Sequence, residues 1–150
     1  MYERVLVVLD GSASGERAVT WARELTGGSG RVVHLVMVCP PAVSVRNAGR
    51  TVAFVDQLED AERATGFEYL DRVARRLRED GLTVATEVRV GSLIDTVEAA
   101  ARDLAADLVV LSCPAARGLQ CLSRAGLVSR IVRTISAPVL IAGPGCLRSA

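Results

Sequence analysis

The chain has 150 residues, the size of one ordinary domain, and its 18 basic side chains, all arginine, balance 17 acidic ones, leaving no charge excess to draw nucleic acid. The absence of lysine excludes a Walker-type phosphate-binding lysine, a Schiff base and a lysine general base. No apolar run reaches the roughly 18 to 20 residues that span a bilayer, and Met1 to Arg4 lead into a short apolar run instead of a signal peptide, so a cytoplasmic protein without membrane contact is expected.

Along the chain, continuous apolar runs of strand length alternate with segments of helical period. Val5 to Leu9 is the first run, and Asp10-Gly11-Ser12 turns it into a helix over about 13–25, with Ala18, Trp21, Ala22 and Leu25 on one stripe. Glycines in "TGGSG" at 26–30 end that helix before a second strand, Val32 to Val38. The Pro-, Ser-, Arg- and Gly-containing stretch Pro40 to Thr51 reads as a long surface loop or lid. A second helix over about 56–79 carries Leu58, Ala61, Leu70, Val73 and Leu77 at helical spacing and stops at Asp80-Gly81. Strand Val84 to Val90, helix 93–104, strand Leu108 to Leu111, helix 125–135 and strand Val139 to Ala142 complete the order βαβαβαβαβ.

Apolar runs without alternation suit strands covered on both faces, and strands joined by helices cross over right-handedly into a parallel sheet. The expected fold is therefore α/β: an open five-stranded parallel sheet, doubly wound, in strand order 3-2-1-4-5 with helices on both faces. Ligands of such sheets collect beyond the C-terminal ends of strands 1 and 4, where Asp10 to Ser12 and Ser112 to Gly126 lie.

Asp10 has two readings at that edge. Its carboxylate suits hydrogen bonds from a ribose, a base or loop N–H groups, and Asp-Gly-Ser is equally a good turn and helix N-cap. Gly11 and Gly15 have the wrong spacing for a dinucleotide fingerprint, and the third and fifth strands lead into Gly91-Ser92 and Gly143-Pro144, not into the Asp and Lys of a phospho-acceptor domain. His34, the only histidine, falls inside the second strand, which leaves no Ser-His-Asp or Cys-His pairing and no assigned catalytic residue. Cys39, Cys113, Cys121 and Cys146 form no C-x-x-C pair and no zinc-ligand spacing, so no metal site is expected. Cys113 and Cys121 share one loop, with Cys39 on a strand end expected to lie near it, which raises thiol regulation as a minor reading.

Four stretches carry a resemblance: "VLVVLDGSASGERAVTWAREL" at 5–25, "VVHLVMVCPP" at 32–41, "VRVGSLIDTVEAAARDLAADLVVLS" at 88–112 and "SRIVRTISAPVLIA" at 129–142. Together they resemble the universal stress protein family over nearly the whole length, which implies an adenine nucleotide alpha hydrolase-like fold. Nucleotide-binding members of that family show G-x2-G-x9-G-[ST] after strand 4. Here Ser112, Ala115 and Ala125 stand at the glycine positions and Gly126 at the Ser or Thr position, with Gly118 and Pro138 anchoring the register. Glycines in such a loop allow positive φ and a close approach of N–H groups to phosphate; alanine at positive φ costs about 1 kcal/mol per site, and Pro114 removes one donor.

By resemblance Asp10 and Val38 match positions that contact the nucleoside, while Leu111, Ser112, Pro114, Ala115, Ala125, Gly126 and Leu127 match the phosphate loop. The resemblance implies a stress-response and regulatory binding module, not an enzyme, that requires no cofactor and acts through an unidentified protein partner; the four changed loop positions imply that it does not hold ATP tightly, and the all-arginine bias suggests a GC-rich, bacterial genome. The resemblance also implies a homodimer through the last strand, Ala137 to Ala142. The alternative is an ATP- or AMP-binding switch with slow hydrolysis, using Asp10 and the 111–127 loop.

Overall fold

Val- and Leu-rich runs become the interior strands of one sheet. In the computed structural model, which describes residues 2–12, 15–26, 30–41, 46–47, 50–51, 55–112, 126 and 129–142, β1 (Arg4–Leu9) lies at the centre. It pairs on one side with β2 (Val32–Cys39) and on the other with β6 (Leu108–Ser112). Outside these run β5 (Thr83–Val90), against β2, and β7 (Val139–Ala142), against β6. All four pairings are parallel, and the order β5-β2-β1-β6-β7 is 3-2-1-4-5 when these strands are counted along the chain. Between β2 and β5 a two-residue antiparallel pair, β3 (Arg46–Asn47) with β4 (Arg50–Thr51), lies in the stretch expected to be loop alone.

Pleating divides β1 between two cores. Val5, Val7 and Leu9 face α1 (Gly15–Thr26) and α2 (Val55–Glu79), joining Ala18, Ala22, Leu70, Val73 and Leu77. Leu6 and Val8 point the opposite way, toward α3 (Leu93–Asp103) and the helical residues 129–134, among Ile94, Val97, Ala100 and Ile131. Both sides of β1 are therefore dry, as an unalternating apolar run requires. Asp107 fastens the edge beneath: its carboxylate accepts from the N–H groups of Glu3 (2.6 Å) and Arg4 (3.0 Å), tying the start of β6 to the start of β1.

α2 departs from expectation in one respect. Its 25 residues reach about 37 Å, while the eight-residue strands beneath reach about 26 Å, so its N-terminal turns overhang the C-terminal edge of the sheet. Ala61, expected on the core stripe, is exposed there; the buried face begins at Gly66, and the Leu58 side chain lies outside the described residues. Among the described residues no helix is long and apolar enough to cross a membrane, and no group of three or more His, Cys, Asp or Glu is placed to hold a metal ion.

Candidate functional site

Chain geometry at the end of β1 decides what Asp10 does. Gly11 takes φ +79°, and a Cβ on it would come within 3.1 Å of the Met37 methyl carbon, so the turn favours glycine on two counts. Ser12 donates to Asp10 Oδ1 through both its N–H (3.0 Å) and its hydroxyl (2.5 Å). Ser12 then accepts from Gly15 N–H at its hydroxyl (3.3 Å) and carbonyl (2.9 Å), which opens α1. Ser12 thus meets the first N–H group of α1, and Asp10 positions Ser12 with one oxygen. Asp10 is exposed, and its Oδ2 makes no hydrogen bond among the described residues.

Beyond Asp10 an open cleft of about 410 Å³ lies along the sheet's C-terminal edge. Met37, Val38, Cys39 and Pro40 form the side that continues β2, and the overhanging turns of α2 supply Ala61, Glu62, Thr65 and Gly66. Gly66 lets helix and sheet meet at its floor: a Cβ there would lie 3.0 Å from Met37 Sδ and 3.2 Å from Val88 Cγ2. The volume falls within the roughly 300–1,000 Å³ of small-molecule sites, and the mixture of apolar walls with a few polar groups is typical of them.

Burial pushes the Cys39 thiol up, Glu62 pushes in the same direction and Arg63 opposes them, so Cys39 is a neutral thiol at physiological pH. The Tyr69 hydroxyl, near Gly15, is buried without a hydrogen-bond partner among the described residues; burial raises its pKa, and Glu16 and Asp10 add to the rise. His34 sits on β2 beside Leu6 and Ala85, on the α3 side of the sheet, in a separate hollow with Glu87 and Leu104. Burial lowers its pKa against the pull of Glu87.

Of the residues matched to a nucleotide site, Asp10 and Val38 meet in the cleft. Leu111 is 7% exposed and packs in the core on the α3 side, Ser112 closes β6 opposite Ala142, and Gly126 is helical and exposed. Pro114, Ala115, Ala125 and Leu127 lie outside the described residues, as do Cys113 and Cys121. The α2 wall, with Ala61, Glu62, Thr65 and Gly66, was missed by sequence reasoning. The available signal was length: a helix periodic over 24 or 25 residues must project past strands of eight.

Three solved structures share this architecture. UspA from Lactobacillus plantarum superimposes with a TM-score of 0.77 at 20% identity, over 94% of this chain and 97% of that one. A universal stress protein in complex with cAMP gives 0.66 at 21% identity, over 94% and 96%. An Arabidopsis thaliana universal stress protein family member with AMP bound gives 0.62 at 19% identity, over 95% and 92%. None of the curated protein sequences compared with the chain matches it. The sequence profile described as universal stress protein family matches residues 1–143, nearly the full length, and the chain belongs to the universal stress protein family.

Proposed function

We propose that this chain is a cytoplasmic regulatory binding module that receives the nucleoside end of an adenine nucleotide in the cleft beside Asp10 and does not hold ATP tightly. The observation that carries the proposal is the pairing of an open 410 Å³ cleft at Asp10 and Val38 with a loop whose four motif positions are Ser112, Ala115, Ala125 and Gly126. The cleft offers apolar surface and hydrogen-bond acceptors for a base and ribose, while three added Cβ atoms or their equivalents work against a cradle of N–H groups for phosphate. The nucleophile that lines the cleft, Cys39, is held as a neutral thiol by burial and by Glu62, which favours binding and signalling over catalysis. Signalling runs through protein contacts, with two copies joined along β7. Calorimetric titration with ATP at millimolar concentration tests the proposal: weak or absent uptake is expected, and saturable micromolar binding overturns it.

A second reading, an ATP- or AMP-binding switch, draws support from the relatives solved with cAMP and with AMP. It expects nucleotide to copurify with the protein and Asp10→Ala to abolish binding. A preparation free of nucleotide that stays free when ATP is added counts against it.

A further inference from the structure

We propose that Met37 is an oxidation site: a hydroperoxide converts its thioether to the sulfoxide, and the added oxygen disables the cleft until it is reduced. The inference goes beyond the nucleoside-binding reading and draws on it for one readout only.

Met37 is the joint at which three elements meet beside Asp10. On β2 it stands in register between Leu9 of β1 and Val88 of β5. A Cβ on Gly11, the residue after Asp10, would lie 3.1 Å from its methyl carbon, and a Cβ on Gly66 of α2 would lie 3.0 Å from its sulfur. Each glycine thus yields the space of a methyl group to this side chain, and little beyond it. Met37 is nevertheless only partly buried and lines the open cleft, which gives a small oxidant a path to it. The second sulfur of the cleft, on Cys39, is buried and stays in its unreactive neutral form. A thioether has no proton to lose, so no such control applies to Met37.

One peroxide oxygen passes to a sulfur lone pair: the S–O bond forms and the O–O bond breaks. Sulfur gives up two electrons, and the remainder of the peroxide leaves as water, or as an alcohol when the hydroperoxide is organic. Attack at either lone pair produces both epimers. Oxygen directed toward α2 enters the contact with Gly66, where Val88 Cγ2 already lies 3.2 Å from the position of a Cβ. Oxygen directed away from α2 projects into the cleft. The first leaves a polar atom without a donor among carbons and the second occupies ligand volume, so affinity falls about tenfold or more.

The chain is treated with millimolar hydrogen peroxide, then with dithiothreitol to return oxidised thiols, and the peptide holding Met37 is read by mass spectrometry. The other methionine, Met1, is retained as a control in Met37→Leu. The expected result is one added oxygen on Met37, a lowered urea midpoint and an adenosine affinity reduced about tenfold in calorimetry. Both changes are reversed by the two methionine sulfoxide reductases, one for each epimer, and not by dithiothreitol alone. Met37→Leu, whatever its starting affinity, keeps it through the same treatment. Met37 left intact while Met1 is fully oxidised overturns the proposal, and so does complete oxidation that leaves adenosine affinity unchanged. An untreated chain that takes up no adenosine overturns the nucleoside-binding reading instead; the urea midpoint then decides for Met37, and a midpoint unmoved by complete oxidation overturns the site.

Discussion

Gly66 on α2 lies so close to Met37 on β2 that a Cβ on the glycine would stand 3.0 Å from the methionine sulfur. The contact sets how near α2 approaches the sheet and therefore how deep the cleft is. Gly66→Ala adds helix propensity of about 1 kcal/mol, which offsets the crowding of a flexible Met37 and leaves stability within about 1 kcal/mol of wild type. Gly66→Leu overfills the contact and is expected to cost about 1–3 kcal/mol in urea unfolding and to abolish nucleoside uptake in the cleft. Undiminished uptake by Gly66→Leu shows that the ligand lies elsewhere.

α2 and α3 end in the same motif with different residues at its critical position. After α2, Leu82 N–H donates to Leu77 C=O and Gly81 N–H to Arg78 C=O, with Gly81 at φ +84°. After α3, Ala106 N–H donates to Ala101 C=O and Ala105 N–H to Arg102 C=O, but Ala105 takes φ +46° with a Cβ. Ala105→Gly is expected to stabilise the fold by up to about 1 kcal/mol, and Gly81→Ala to destabilise it by about 1 kcal/mol. Opposite shifts of the two urea midpoints confirm the comparison; destabilisation by Ala105→Gly contradicts it.

Acid weakens the fold through His34. Its folded-state pKa is lowered below 6.5 by burial, so between that lowered value and about 6.5 the unfolded chain holds more protons than the folded one. Stability contributed by neutral His34 is complete above about pH 6.5 and is lost as pH falls through this window. Wild type and His34→Gln, compared by urea unfolding at pH 7.5 and 5.5, should differ in slope, with the wild type losing more on acidification. Equal slopes contradict the assignment, and with one histidine in the chain no other imidazole confuses it.

Edge strand β7 is the proposed seam of the dimer. Val139, Leu140 and Ile141 are each only partly buried in the single chain, an apolar edge open to pairing. Light scattering is expected to give twice the chain mass for the wild type and a monomer for Ile141→Arg. A monomeric wild type removes the seam.

Strand positions and sheet order were legible because dry strands leave unbroken apolar runs: Val5 to Leu9 reads as doubly covered, and its two faces do enter two cores. Helix faces were legible only where the sheet lies beneath. Ala18 and Ala22 pack as their spacing implies, but Ala61 follows the same period onto open space, since periodicity records a stripe and not what the stripe meets. Asp10 and Val38 were legible by motif, whereas Glu62 and Thr65 reach the cleft through the overhang of α2, a relation between elements that no local pattern contains. The pair at Arg46–Asn47 and Arg50–Thr51 was hidden by its brevity: two residues per strand are too few to show alternation.

The affinity ratio of ATP to AMP, measured by calorimetry on one preparation, tests the central claim most directly. If the cleft receives the nucleoside and the substituted loop gives no grip on further phosphates, ATP binds no more tightly than AMP. ATP binding tenfold or more tightly than AMP would show a working triphosphate cradle and contradict the account.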